Sequence, residues 1–389
     1  MQDAITDIRK LPGPSCFLQS PPGPFSHLQI AAEGGPVIIV NSSQYGCDAL
    51  IVVADRDLIR VALPITKPRV SELSLQLHSL TSRAKFGDVT RDMLVFLREL
   101  WDEIVFPIIK TLQESFPRGS RIWWCPTAEF SLPPLHAAGS YREGQPILSD
   151  LYISSYTPTL TALIRAREKR SLDPSMERHR FLLVGQAQAP GQNELVSANA
   201  ELSTISQLVG PAATFTCVRD QDATIARVAE ELAKNKFIHF ACHGITDRTH
   251  PFGPGFVLYD GLLKVEDIMR YDLRNAQFAY LPARRTAVGD GESPDEVVHL
   301  SAAMLSSGFR SVIGTMWATD DAHANEITSR FYNNLVDESG VVWIIHGQRS
   351  RCIERWKAFV RATYPLINES YTYMLVPSVS VCATTKAHV

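Results

Sequence analysis

A histidine–glycine pair at the end of an apolar run is the part of this sequence best suited to chemistry. The run Phe237–Cys242 (FIHFAC) has strand character, and His243 and Gly244 follow it directly. Ligands of open parallel sheets gather just beyond the carboxyl ends of the strands. A histidine at that place can act as a general base, and a glycine after it allows a sharp turn with a backbone N–H for an oxyanion. These are the groups that a cysteine peptidase uses beside its thiol, so His243 is the candidate base and Gly244 the candidate oxyanion donor.

Three other interpretations of this segment stay open. In the first, His243 is an ordinary hydrogen-bonded polar residue near a strand end. In the second, His239, Cys242 and His243 bind a metal, although Cys242 then points away from the other two and no fourth ligand is evident. In the third, Cys242 is a nucleophile served by His243, which requires a bulge or a break in the strand. A small buried side chain is the better interpretation of Cys242.

The elements that must position these residues alternate between short apolar runs and longer helical patterns. This order predicts an α/β fold with mostly parallel strands. The predicted strands are Pro36–Val40, Ala49–Val53, Leu58–Leu63, Arg121–Cys125, Phe181–Gly185, Phe215–Val218, Phe237–Cys242, Phe278–Leu281 and Ser311–Met316. The predicted helices are Asp88–Ser115, Leu160–Arg170, Glu194–Val209, Asp222–Lys234, Pro294–Ser307 and Asp320–Leu335. Ser293 and Glu296 form a capping box around Pro294, and Gly308 is placed to end that helix.

Composition excludes several classes of protein. The chain has 389 residues, 45% of them hydrophobic, which predicts two or three globular units. Its net charge of −3 argues against a basic, nucleic-acid-binding surface over the whole protein. Seven scattered cysteines without a CxxC pair argue against a disulfide framework or a zinc ribbon. Motifs for nucleotide phosphates, serine hydrolysis and zinc peptidases are missing, as is an apolar run of about 20 residues. We therefore expect a reduced, cytoplasmic protein that uses no cofactor or metal, binds no nucleic acid and has no membrane span.

Several segments in one order resemble the CHAT domain family, a caspase-related module often found behind tetratricopeptide repeats. These segments are Arg121–Tyr141, Tyr152–Leu163, Phe237–Gly244, Asp260–Ile268 and Phe278–Leu335. The resemblance extends over about Phe17–Leu335. It implies a caspase-like three-layer α/β sandwich with a mostly parallel sheet, built from two caspase-like halves.

The resemblance also divides the chain. A polar stretch rich in basic residues separates the two halves and is typical of a solvated linker. The tail carries a basic amphipathic pattern at Ile345–Arg361, which we expect to dock on the domain's own sheet, with a membrane or a partner as the alternative. The resemblance also allows for tetratricopeptide-type repeats upstream, in a longer protein. The expected divisions are a lead-in (1–22), a degenerate half (23–170), a linker (171–180), a half with His243 (181–340) and a tail of unclear fold (341–389).

The family implies a His–Cys dyad, and this chain departs from it at the cysteine. The family's nucleophile lies just before a Thr-Ala-x-Gly-Asp stretch, which here is Thr286–Asp290. Arg284 therefore occupies the nucleophile position, 41 residues after His243. A guanidinium stays protonated and has no lone pair for attack on a carbonyl. No cysteine lies between positions 243 and 351, so we predict a pseudo-peptidase that serves as a binding or regulatory module for a protein or a peptide.

Other functions remain as alternatives. The first is an active cysteine endopeptidase that uses another thiol, with Cys242 the nearest in sequence. The second is a regulatory module in which Arg284 and Arg285 bind an anionic ligand or an acidic partner. Asp295 is a weak candidate for binding basic substrate residues, since a position in the first turn of a helix already explains an acidic side chain.

Overall fold

In the part of the chain that the structure describes, each half contains one five-stranded sheet, and a three-stranded sheet belongs to the second half. A computed structural model describes residues 25–83, 89–167, 179–192, 194–210, 213–245, 255–271, 273, 276–281, 300–314 and 321–335. Within these ranges, no helix has both the length and the apolar character that a bilayer crossing requires.

The first sheet is mixed, with order β3-β2-β1-β4-β5. Its strands are β1 (Val37–Ser43), β2 (Gly46–Val52), β3 (Ile59–Leu63), β4 (Arg121–Pro126) and β5 (Ile153–Tyr156). The first three strands form an antiparallel meander, whereas β1, β4 and β5 run parallel. The turn from β1 to β2 is tight because Gly46 has φ +148°, and the Ser43 hydroxyl donates to the Gly46 carbonyl over 3.0 Å.

Helices cover the first sheet and bury their apolar stripes against it. They are α1 (Phe25–Gln29), α2 (Lys67–Arg83), α3 (Thr90–Leu100), α4 (Phe106–Gln113), α5 (Leu148–Leu151) and α6 (Leu160–Arg167). A π-helical turn at Trp101–Val105 joins α3 directly to α4. The periodic stretch predicted at Asp88–Ser115 is therefore one helical run, and its residues Phe96 and Leu100 are fully buried.

The second sheet is parallel throughout, with order β13-β12-β8-β6-β7. Its strands are β6 (His179–Gly185), β7 (Ala213–Arg219), β8 (Phe237–Ala241), β12 (Phe278–Leu281) and β13 (Ser311–Gly314). The small sheet consists of β9 (Gly244–Ile245), β10 (Gly255–Leu258) and β11 (Gly261–Lys264), all antiparallel.

Helices on both faces of the second sheet give the three layers expected from the sequence. They are α7 (Ala198–Val209), α8 (Ile225–Lys234), α9 (Val265–Ile268), α10 (Leu300–Ser306) and α11 (Asp321–Leu335). Leu202 of α7 and Tyr332 of α11 belong to the core on one face, and Val228 of α8 and Met304 of α10 to the core on the other. Gly308 ends α10 with φ +114°, as the sequence indicates.

The structure corrects several sequence-based expectations. The linker expected at 171–180 is too long, because His179 and Arg180 already belong to β6. The strand expected at Phe237–Cys242 ends one residue earlier, since the chain bends at Cys242. Helix α2 was missed because Leu73, Leu75 and Leu77 alternate with polar residues, a pattern more typical of a strand. The β10–β11 hairpin was missed because each of its strands has only four residues.

Candidate functional site

His243 lies where the sequence places it, at the carboxyl end of β8. The chain leaves the large sheet at Ala241, bends at Cys242 and enters the small sheet at Gly244. The side chain of His243 is buried, and its carbonyl accepts a hydrogen bond from the Val257 N–H over 2.8 Å. His243 is thus fixed at the junction of the two sheets.

The backbone pattern of the small sheet decides where the Gly244 N–H points. Antiparallel strands alternate between hydrogen-bonded and non-hydrogen-bonded residue pairs. Val257 donates to His243, so the next pair, Gly244 with Phe256, is a non-hydrogen-bonded one. The Gly244 N–H is therefore directed away from β10, on the outer side of β9. This direction agrees with the oxyanion-donor prediction for Gly244, which stays a prediction.

Strand β12 brings the chain to the same edge as β8. It lies between β8 and β13, and Tyr280 pairs with His239, an offset of 41 residues. Leu281, the last residue of β12, is buried. The predicted nucleophile position Arg284 and the candidate Asp295 lie outside the described residues, as do Asp290 and Glu296.

The burial of Cys242 favours the structural interpretation of this residue. The bend at Cys242 is the break that a Cys242–His243 pair would need. The side chain is nevertheless only 2% exposed and belongs to the apolar core on the α8 side, together with Phe240 and Val184. A thiol in such a place is shielded from a peptide substrate, because a nucleophile must reach the scissile carbonyl.

Thiol labelling should separate the described cysteines into two groups. Cys217 is exposed, whereas Cys47, Cys125 and Cys242 are buried, and burial raises the pKa of Cys125 to about 12. We expect iodoacetamide to label Cys217 in the native protein within minutes and the other three only after denaturation. Peptide mapping by mass spectrometry checks this, and native labelling of Cys242 would revive the endopeptidase alternative.

His239 has partners other than a metal. Its Nδ1 lies 3.2 Å from the Tyr332 hydroxyl, and its Nε2 lies 3.4 Å from Oε1 of Glu201. Cys242 packs on the opposite face of the sheet. In the part of the chain that the structure describes, no three His, Cys, Asp or Glu side chains are grouped so that they could hold a metal ion.

Sequence reasoning missed the buried polar residues that surround His239. Glu201 and Thr328 are buried, and the Thr328 hydroxyl donates to Oε1 of Glu201 over 2.7 Å. A signal was present in the sequence, since Glu201 lies on the same helical face as Leu202 and Ile205, where a buried apolar residue is expected.

Hydrogen bonds to Asp220 connect the first turn of α7 with the segments that follow β6 and β7. Asp220, which has φ +46°, accepts hydrogen bonds from the Ala187 N–H over 3.2 Å and from the Asn199 amide over 3.1 Å. Asp260 acts in a similar way on the other face, where its carboxylate accepts from the Ile225 N–H at the start of α8. Asp260 lies in the β10–β11 turn. The carboxyl edge of the sheet is thus held by side-chain hydrogen bonds at several strand ends.

Comparison with solved structures finds similar chains. The Saccharomyces cerevisiae separase–securin complex matches in two structures, both at 10% identity. One has a TM-score of 0.52 and covers 85% of this chain and 30% of that chain, and the other has a TM-score of 0.48 and covers 79% and 28%. The complex of the Porphyromonas gingivalis RgpB pro- and mature domains matches with a TM-score of 0.45 at 8% identity, over 90% of this chain and 80% of that chain.

The chain spans less than a third of the separase chain, and no curated protein sequence matches it significantly. The fold is the caspase-like α/β fold that separase shares. The family model of the CHAT domain matches residues 94–354, about two thirds of the sequence. On these grounds the chain is a member of the CHAT domain family.

Proposed function

We propose that this chain is a peptidase-fold module that binds protein or peptide segments without cleaving them. The observation that carries the proposal is the register of the two strands that lead to the site. Tyr280 pairs with His239 at an offset of 41 residues, and the same offset separates Arg284 from His243. Strands β8 and β12 end at the same edge of the sheet, which supports the assignment of position 284 as the nucleophile position.

An arginine at this position cannot attack a carbonyl carbon, but it can bind an anionic group. A guanidinium offers five N–H donors and a permanent positive charge but no nucleophilic lone pair. Beside His243 it also disfavours the imidazolium that a working dyad forms. Arg284 and Arg285 together favour ligands with carboxylates, since arginine binds carboxylates through paired, charge-assisted hydrogen bonds. The ligand class we propose is therefore an acidic peptide segment.

The backbone beside His243 supports binding of an extended peptide. The Gly244 N–H is directed away from β10, so it can donate to a carbonyl of a segment that lies along β9. In an active peptidase such a donor stabilises the oxyanion. Without a nucleophile it contributes only to binding.

A cytoplasmic location also belongs to the proposal. Cys47, Cys125 and Cys217 are free thiols, which suits a reducing compartment.

Two measurements on the purified chain test the proposal. With a quenched-fluorescent positional-scanning peptide library, we expect no cleavage above that of the His243→Ala variant. With an array of immobilised peptides, we expect retention of acidic sequences, and we expect Arg284→Glu to reduce it at least about tenfold. Arg91→Glu, the same charge change at an exposed position on α3, is the matched control and should leave binding intact. Cleavage that depends on His243, or binding indifferent to Arg284→Glu, overturns the proposal.

A further inference from the structure

We propose that β7 pairs, along its outer edge, with β7 of a second copy of this chain, so that two copies form a dimer with one continuous sheet. The outer edge is the side of Ala213–Arg219 that faces away from β6, its neighbour in the second sheet. His243 follows β8, which lies on the other side of β6. The inference therefore goes beyond the proposed function and does not depend on it.

The outer edge of β7 is open on both faces of the sheet. Phe215 packs against the core on the α7 side and Val218 belongs to the core on the α8 side, so alternate residues face the two helical layers. Thr214, on the α8 side, and Cys217, on the α7 side, are both exposed. Within the described residues, the backbone of β7 makes hydrogen bonds only in its ladder with β6. Every second residue of β7 therefore presents its N–H and C=O groups to an incoming strand.

Strand β7 lacks the features by which proteins keep an edge strand from pairing. Those features are charged side chains, proline, bulges and very short strands. Ala213–Val218 (ATFTCV) is uncharged and free of proline, and four of its residues are β-branched or aromatic. Its ladder with β6 runs over seven consecutive residue pairs without a bulge. An edge of this kind is expected to be covered by another strand.

The edge strand of the first sheet, β3, shows the contrast. Arg60 is its second residue, and the guanidinium pairs with the Asp48 carboxylate over 2.8 Å on the neighbouring strand. The charged run Asp55–Asp57 precedes β3. One edge of this protein is thus protected by charge, whereas the edge at β7 is not.

A second copy fits this edge because β7 is complementary to itself. In an antiparallel pair centred on Thr216, Thr216 lies opposite Thr216 of the second copy, Thr214 lies opposite Val218, and Phe215 lies opposite Cys217. Threonine pairs and pairs with an aromatic side chain stabilise neighbouring strands, and sulfur packs well against an aromatic ring. Each position of the strand therefore meets a suitable side chain of its own copy.

The charges near this edge also permit self-pairing. Arg219 is the one charged residue of β7, and in the same pair it lies opposite Ala213, so the two guanidinium groups are at opposite ends. Helix α7 packs against β7, and its solvent-facing residues are small or uncharged: Ala200, Ser203, Thr204, Ser206 and Gln207. A second copy can therefore approach without the cost of desolvating a charge, whereas a charged peptide finds no ion pair here.

Sedimentation velocity of the full chain at micromolar concentration tests the pairing. We expect a dimer from the wild type. Thr216→Lys and Thr216→Glu each place like charges opposite each other at the centre of the pair and should weaken association at least about tenfold. An equimolar mixture of the two variants places Lys opposite Glu and should restore the dimer. Ala62→Lys, which adds the same charge at an exposed position of β3, is the matched control and should remain dimeric.

Crosslinking tests the register of the two strands. In the proposed pair, the Cys217 side chains of the two copies are diagonal neighbours, about 7–8 Å apart, which a short bis-maleimide can span. We expect a dimer linked through Cys217, identified by mass spectrometry. Thr214→Cys in a Cys217→Ser chain places the two thiols four residues apart along the strands, about 13 Å, and should crosslink at least about tenfold less.

Several outcomes would overturn the proposal. A monomeric wild-type chain at micromolar concentration would do so, as would a dimer that Thr216→Lys leaves intact. If the Lys and Glu variants fold but their mixture stays monomeric, the two strands do not meet at Thr216 and the proposed pairing is wrong. Circular dichroism shows whether the variants fold. Cys217→Lys, at an exposed position of the same strand, covers the case in which Thr216→Lys does not fold, and an unchanged dimer would again overturn the proposal.

Discussion

Hydrolysis of peptides should appear when Arg284 is replaced by cysteine. Under our proposal, His243 and the Gly244 N–H are in place, and the missing part is a thiol opposite them. General-base assistance by a positioned histidine is worth about 10² to 10⁴ in rate, so we expect at least about 100-fold more cleavage of the fluorogenic library than with the wild-type chain.

Two variants make this result interpretable. Arg285→Cys introduces the same thiol one residue later and should remain inactive, because the proposal assigns the nucleophile position to residue 284 alone. His243→Ala in the Arg284→Cys chain should return cleavage to background. Equal activity of the two cysteine variants would show that position 284 has no special relation to His243. Complete inactivity of Arg284→Cys in a folded, alkylatable chain would mean that the substrate cleft has decayed together with the nucleophile.

The stability of the first half should fall as the pH drops below about 6.5, because of one buried histidine. His136 lies in a helical turn at Leu135–Ala137, and burial holds its pKa well below the usual range. Its backbone N–H donates to the Tyr156 hydroxyl over 3.2 Å, so that hydroxyl can donate to Nδ1 over 2.7 Å. The folded state therefore favours the neutral imidazole.

The sign of the effect follows from proton binding in the two states. The unfolded chain takes up a proton at His136 near pH 6.5, whereas the folded chain resists it. The contribution is fully present above about pH 6.5, and it is lost as the pH falls toward the lowered folded-state pKa, by up to about 1.4 kcal/mol for each pH unit.

Urea unfolding at pH 7 and pH 5 measures this contribution. His136→Asn keeps an acceptor for Tyr156 but does not titrate, so its free energy of unfolding should fall less between the two pH values than that of the wild type. His78→Asn, at an exposed histidine of α2, is the control and should follow the wild type. If His136→Asn and the wild type lose the same stability, His136 is already protonated in the folded protein.

The sequence was most informative where apolar patterns are strong and continuous. Strand β12 was predicted with its observed bounds, and the helical run through Phe96 and Leu100 was found because its apolar spacing follows the helical period. His243 could be placed at a strand end because the run before it is short and, apart from His239, apolar. These features are local, so one sequence is enough to recognise them.

What the sequence did not reveal depends on contacts between distant residues. Thr328 and Glu201 are 127 positions apart, and nothing near either residue indicates the other. The antiparallel start of the first sheet depends on the pairing of β1 with β2, which an apolar run alone does not specify. The β10–β11 hairpin likewise owes its place to the core that it covers and little to local propensity.

The hydrogen bond between Val257 and His243 makes the Val257 amide proton a probe of the candidate site. The Val257 amide donates to the His243 carbonyl across the small sheet, so its proton exchanges with solvent only when that bond opens. The exchange rate of this single amide therefore measures how often the histidine leaves its place. A ligand that binds beside His243 should slow hydrogen exchange at the Val257 amide, even when no peptide bond is cleaved and no product forms.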